Sequence, residues 1–297
     1  MGVDKGMEPG TIIQIVLWGL VTGCIYILLA SGLNVIFGVM KIVNFAQGEL
    51  MVIGSYVTYW VATLLGLNPY ISILLSMACI ALFGVLVERL CFRPILGTNK
   101  LNEIFLSLGL IYLLQNAMAS LWTDDWRYIR SPYEAQHFPL GPIRLPLDYI
   151  AIIILTPTIL GALHIFLHKT WLGMGVRATS QNRKAASLMG INVERMDMLS
   201  FGLGSALAAA AGALLAMSGQ PFSPYSGTIP AIKAFAIIIL GGLGSIPGSI
   251  VGGLIYGVAE NIAAFFLGGP WKDATAFAIL IAVLIIKPSG LFEEVEK

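Results

Sequence analysis

Three acidic residues stand in strongly apolar surroundings, Glu49, Glu88 and Glu260, and they are the first candidates for chemistry. An ionised side chain at the centre of a lipid bilayer costs on the order of 3 kcal/mol or more, so such residues mark ion or substrate paths, gates or paired contacts. Glu49 closes a polar cluster with Asn44 and Gln47 and is expected to border a path or gate, with an interhelical hydrogen-bond network as the plainer alternative. Glu260 precedes Asn261 and would face a wet cavity, a helix partner or the outer interface. Glu88 abuts Arg89, which predicts local pairing or snorkelling. Beside these, catalytic patterns are thin. No GxxxxGK[ST] cradle for phosphate occurs, and the run from Gly241 to Gly248 misses GxGxxG, so its glycines read as close packing or a helix break. His164 and His168 are four residues apart and would share a helix face, as zinc ligands can, but HExxH and an acidic third ligand are missing. They read as interfacial polar residues. GxSxG is absent, which leaves no nucleophile elbow. Cys24, Cys79 and Cys91 lack CxxC spacing and read as small buried apolar residues.

The elements that must position these residues are suited to lipid. Of the 297 residues 57% are hydrophobic and 11% charged, with a mean hydropathy of +0.85, whereas soluble domains are about half apolar and about a quarter charged. A net charge of +1 with no polybasic tail gives nucleic acid no electrostatic footprint, which excludes that partner. Apolar windows lie near 11–33, 48–66, 70–90, 103–122, 148–167, 198–218, 231–243, 250–266 and 274–287. About 20 apolar residues cross a bilayer core of roughly 30 Å. The expectation is an all-α polytopic membrane protein, one domain over 1–297, with about eight transmembrane helices and some short interrupted or half helices. The first window, from Thr11 to Leu33, is longer than a signal-peptide core and is expected to be the first membrane segment.

Orientation follows from Lys and Arg, which are enriched in short cytoplasmic loops. Arg89, Arg93 and Lys100 mark one such loop; Lys169, Arg177, Arg183, Lys184 and Arg195 mark a second over 168–197. The intervening loop, 123–147, then lies outside with Asp124, Asp125 and Glu134, its Trp126, Tyr128 and Tyr133 resting at the interface beside Trp122. Pro-rich 219–230 is also external, and Lys287 with the charged tail is internal. Lys5 alone leaves the side of the N-terminus open.

Residues 231–243 reach only about 20 Å as a helix and read as a half helix ending at the Gly/Pro break over 241–249. A matching interruption spans 31–49, punctuated by Asn34, Gly38, Lys41, Asn44, Gln47 and Glu49. Irregular backbone at membrane depth survives only inside protein or against a wet cavity, and paired interruptions point to a central site and an inverted pseudo-repeat. The path or gate candidates are therefore Asn34, Asn44, Gln47, Glu49, Gly242, Gly244, Glu260 and Asn261. Small residues at Gly204, Ala208, Gly212 and Ala216, and at Gly248, Gly252, Gly253 and Gly257, predict close helix contacts. Residues 177–192 read as a polar, cytoplasmic, amphipathic helix stopped at Gly190 and Asn192, suited to a soluble partner or equally an ordinary surface loop helix.

Within that helix, Lys184-Ala185-Ala186-Ser187-Leu188-Met189-Gly190 resembles the EAAxxxG coupling motif of ABC importer permeases, with Lys184 where the motif has Glu. GLNVIFGVMKIVNFAQGELMVIGSYV (32–57), RATSQNRKAASLMGIN (177–192) and KAFAIIILGGLGSIPGSIVGGLIYGVAE (233–260) resemble the high-affinity branched-chain amino acid permease family, in order and across about 11–291. The resemblance implies a permease of the bacterial inner membrane that carries branched-chain or other neutral amino acids, or, in related permeases, urea, short amides or another small solute. It also implies a second homologous permease subunit, two cytoplasmic ATPase subunits and a periplasmic substrate-binding protein. No cofactor is expected on this chain, with ATP and Mg held by the ATPase partners. Carried over residue by residue, Arg177, Gln181, Asn182, Lys184, Ala185, Ala186, Leu188, Met189, Gly190 and Ile191 would couple to the ATPase, with 181–191 as the coupling helix.

Overall fold

The computed structural model describes residues 9–133, 136–140, 143–269, 271–286 and 290. Lys5, Glu134, Lys287 and the charged tail lie outside the described residues. The helices are α1 (Pro9–Met40), α2 (Gln47–Leu65), α3 (Pro69–Val87), α4 (Lys100–Trp122), α5 (Leu147–Lys169), α6 (Trp171–Gln181), α7 (Arg183–Leu188), α8 (Val193–Met217), α9 (Thr228–Gly241), α10 (Ile246–Leu267) and α11 (Trp271–Ile286). A hairpin of β1 (His137–Leu140) and β2 (Ile143–Pro146) sits in the loop after α4. Among the described residues seven helices are long and apolar enough to span a bilayer, α1 to α5, α8 and α10; α9, with 14 residues, and α11, with 16, are shorter. Asparagine opens four of them: the side chains of Asn68, Asn99, Asn182 and Asn192 accept from backbone N–H groups in the first turns of α3, α4, α7 and α8.

The centre of the molecule is α8, packed against α1, α2 and α3. Its small residues make this possible. Gly204 lies against the carbonyl of Gly32, Ala209 against Gly54, and Gly212 against the carbonyl of Met51, each too close for a larger side chain. A second seam joins α1 to α10, with Gly19 and Gly23 against Gly257 and Gly253. Without a hydrophobic drive between helices in lipid, van der Waals contact of this kind supplies much of the association.

Arg183 donates to the carbonyl of Val39 at 2.8 Å, so α1 ends on the same side as the basic α6–α7 segment. The Pro9 end of α1 therefore lies on the opposite side. The chain then turns back at residues 41–46, and the Gln47 side chain reaches the Gly204 carbonyl at 2.8 Å. Gly204 is eleven steps into α8, about 16 Å from its start, so α2 begins well inside the membrane.

Several expectations are corrected. The first interruption is 41–46 and not 31–49: α1 is continuous to Met40, because Gly32 and Asn34 face protein, where their size and polarity do not unwind a helix. The second is 242–245 and not 241–249, with Pro247 taken into the first turn of α10, where a missing N–H costs nothing. Residues 177–192 form two helices broken at Asn182, whose side chain caps α7. Only Cys24 is buried; Cys79 is exposed and Cys91 intermediate. Glu88 is buried, with Arg93 as its nearest cation at 3.9 Å, while Arg89 is exposed, because consecutive residues of a helix face different directions.

The contact at Gly212 gives a direct test of the packing. Gly212→Val places carbons against the Met51 backbone, which cannot yield as a flexible side chain can, and a loss of about 3 kcal/mol or more is expected, seen as a lower melting temperature in detergent. Gly161→Val, with nothing within 4 Å, is the control; equal stability of the two variants would contradict the packing described.

Candidate functional site

The α9–α10 break is built around Asn34. Leaving α9, the chain passes Gly242 at φ +106° and Gly244 at φ +87°, conformations that L side chains rarely adopt. Asn34 ties the unwound backbone to α1: its Oδ1 accepts from the Gly244 N–H at 2.8 Å, and its Nδ2 donates to the Ser245 carbonyl at 2.9 Å, which also accepts from the Ser249 N–H, and to Ser249 Oγ at 2.6 Å. A longer contact of 3.4 Å runs to the Gly242 carbonyl. Ser245 Oγ accepts from the Gly248 N–H at 3.1 Å, capping α10. Gly241 and Gly248 meet backbone to backbone as the chain doubles back.

At the 41–46 break, Lys41 adopts φ +58° and Asn44 Oδ1 accepts from the Ala46 N–H at 3.1 Å. Glu49, fully buried on α2, accepts from Gln115 Nε2 of α4 at 3.0 Å and from Thr228 Oγ1 of α9 at 3.4 Å. Gln47 and Glu49 are thus held in contacts between helices, joining α2 to α8, α4 and α9, while Asn44 bonds locally to Gln47 and to the Ala46 N–H.

Glu260 is also fully buried. Lys233 Nζ of α9 lies 2.8 Å from its Oε1, and Lys272 Nζ of α11 lies 3.3 Å away. Lys233 also meets Asp273 at 2.7 Å and donates to Tyr26 Oη at 3.4 Å, so four helices share one charge cluster. Asn261 donates to the Gly257 carbonyl at 2.9 Å within its own helix. Sequence reasoning found Glu260 and missed Lys233 and Tyr26. The signal was a lysine inside an apolar half helix, the counterpart of an acid in an apolar stretch.

A cavity of about 400 Å³ opens beside the break, lined by Asn34, Val35, Leu163, His164, Arg177 and Gly244 among others. Its walls come from α1, α5, α6 and the α9–α10 turn, with apolar side chains predominating. Of the path candidates, Asn34 and Gly244 border it.

The α6–α7 segment projects beyond the membrane helices. Ala186 is buried, whereas Leu188 and Met189 are 88% and 83% exposed, and Gly190 turns the chain at φ +84°. Gln181 closes α6, Lys184 and Ala185 are exposed on α7, Arg177 faces the cavity, and Ile191 packs back against the core. Arg183 is bidentate to Asp197, with both N···O distances 2.8 Å.

Long apolar helices, two interrupted segments and a tied cytoplasmic projection define an integral membrane protein of the transporter class. The chain belongs to the family described as "Branched-chain amino acid transport system / permease component", whose model matches residues 15–284. It is 36% identical over 294 residues to the high-affinity branched-chain amino acid transport system permease protein BraD of Pseudomonas aeruginosa, covering 94% of this chain and 95% of BraD. It is 33% identical over 301 residues to the corresponding protein LivH of Escherichia coli K12, again with 94% and 95% covered. Among solved structures, PsaBC from Streptococcus pneumoniae in complex with Fab shares the fold, with TM-score 0.50, 13% identity and coverage of 92% of this chain and 91% of that one.

Two substitutions test the polar framework. Asn34→Leu keeps bulk and orphans the Gly244 N–H at a cost of about 1–3 kcal/mol, so amide exchange at Gly244 should rise sharply, and unchanged protection there would refute the role. Lys233→Met removes the nearer and more buried of the two cations on the Glu260 carboxylate, leaving only the part-exposed Lys272 at 3.3 Å, and should destabilise by up to about 3 kcal/mol, with much of the loss recovered in Lys233→Met/Glu260→Gln. A double variant no more stable than the single one, in detergent melting curves, would count against the pairing.

Proposed function

We propose that this chain is the substrate-conducting permease subunit of an ATP-driven importer for branched-chain or similar neutral amino acids in a bacterial inner membrane. The observation that carries the reading is the likeness to BraD along nearly the whole of both chains. In this reading the chain pairs with a second, homologous permease subunit, two cytoplasmic ATPase subunits bind ATP and Mg, and a periplasmic binding protein delivers substrate.

The α6–α7 projection serves as the ATPase dock. Its exposed Leu188 and Met189 offer an apolar knob to a cleft, and Met adapts its shape to a partner with little strain. Closure of the ATPase dimer on ATP moves the projection and opens the permease pair toward the binding protein; hydrolysis resets it inward. A free amino acid is a zwitterion, so its ammonium and carboxylate need dipolar partners along the way. Interrupted helices supply such partners at their ends, positive at an N-terminus and negative at a C-terminus. An apolar cavity wall such as that beside Val35 and Leu163 suits an aliphatic side chain.

ATP-dependent uptake of labelled leucine by the reconstituted complex with its binding protein tests both halves. Leu188→Asp and Met189→Asp sit at solvent-exposed positions and are expected to cut uptake and ATPase stimulation by tenfold or more while the permease remains folded. They are cleaner probes than Ala186→Asp, which places charge at a buried site, or Gly190→Asp, which strains a positive-φ turn. Wild-type uptake in both knob variants would remove the docking role. A wild-type complex that hydrolyses ATP but ignores leucine would remove the substrate class and leave the importer standing.

A further inference from the structure

Arg183 stands at the only bend between α6 and α7 and reaches two membrane helices at once. One terminal nitrogen donates to Asp197 Oδ1 and to the Val39 carbonyl, both at 2.8 Å; the other donates to Asp197 Oδ2, also at 2.8 Å. Asp197 is nearly fully buried in the second turn of α8, whereas Arg183 remains about one-third exposed at the cytoplasmic face. Fork-on-fork contacts of this kind fix direction as well as distance, which a single lysine ammonium does not.

The Val39 contact is the informative one. The last four carbonyls of a helix lack intrahelical partners and carry the negative end of its dipole, and α1 has no basic residue in its own last turn. The cation that completes α1 therefore arrives from the cytoplasmic projection, 144 residues away in sequence. Two functional segments hang from that end of α1. Asn34, five residues back, holds the α9–α10 break, and residues 41–46, immediately after, lead to Gln47 and Glu49.

Resting on the reading of α6–α7 as the ATPase dock, we propose that Arg183 is the positioning residue that transmits movement of that dock to α1 and α8, and through α1 to the two interrupted segments. The dock's exposed face binds the partner; Arg183, on its inner side, ties it to the helices that must move. Loss of Arg183 should leave the partner bound and ATP hydrolysed while transport stops.

The test is the amount of leucine imported per ATP hydrolysed in the reconstituted complex, measured for wild type, Arg183→Gln, Arg183→Lys, the exchange pair Arg183→Asp/Asp197→Arg, and Leu188→Asp. Co-purification of the ATPase subunits reports assembly. Arg183→Gln is expected to assemble and hydrolyse ATP at near the wild-type rate, with leucine per ATP reduced at least tenfold. Arg183→Lys should fall between the two, and the exchange pair should recover part of the ratio. Leu188→Asp should instead lose ATPase stimulation and assembly together. Arg183→Gln with a wild-type ratio, or with uptake and hydrolysis lost in proportion to misfolded protein while Arg183→Lys and the exchange pair restore nothing, would overturn the transmitting role. Failure of Leu188→Asp to disturb assembly would overturn the docking assignment on which it rests, and a wild-type complex without ATP-driven uptake would overturn both.

Discussion

In hydrocarbon, a backbone N–H or C=O has no water to bond, so every interruption of a membrane helix must carry its own partners. The break at 242–245 meets much of this demand through one amide side chain, Asn34, which accepts from the Gly244 N–H and donates to the Ser245 carbonyl beside the Ser249 N–H. Much of the architecture follows. For Asn34 to reach the turn, α1 must run close beside the start of α10, and the glycine seam of Gly19 and Gly23 against Gly257 and Gly253 provides that approach further along the same pair. The break in turn allows α9 to be short and to end inside the membrane beside the cavity.

Charge inside the membrane obeys the same rule. Glu260 is not left to face lipid or an open path in this conformation; Lys233 and Lys272 balance it, with Asp273 and Tyr26 completing the cluster across α1, α9, α10 and α11. Such a pair contributes little net stability relative to a well-packed apolar contact, but breaking one partner leaves a buried charge behind, which makes the arrangement intolerant of half-measures. Together, Asn34 at one end of the α9–α10 unit and Lys233 nearer the other hold an interrupted helix as a rigid body.

The sequence made the membrane class and most spans legible because apolar runs of 19 to 31 residues leave little alternative, and it made the two interruptions legible because Gly, Pro, Asn and Gln are rare in such runs. Their boundaries were harder. Asn34 and Gly32 look like breakers along the chain, yet each is absorbed by a neighbour more than 170 residues away, so α1 continues past them. The roles of Lys233, Tyr26 and Arg183 were hidden for a similar reason: each depends on a partner set by tertiary packing and not by spacing. Glu88 and Arg89 part because adjacency along the chain does not place consecutive helical side chains together, and Arg93 lies nearer to Glu88. The bend at Asn182 was hinted at by a capping residue in mid-helix, a sign that periodicity alone overlooks.

The bond from Asn34 to Ser249 joins residues 215 positions apart, and this separation bears on how the protein is made. At synthesis rates of about 5–20 residues per second, the partners of Asn34 emerge on the order of 10–40 seconds after Asn34 itself. During that interval α1 carries a polar amide and an open row of glycines with neither α8 nor α10 to cover them. α1 enters the membrane well before α8 and α10 and is completed only when they arrive, so until then its polar face must be shielded beside the insertion machinery, at the lipid headgroups or against another protein.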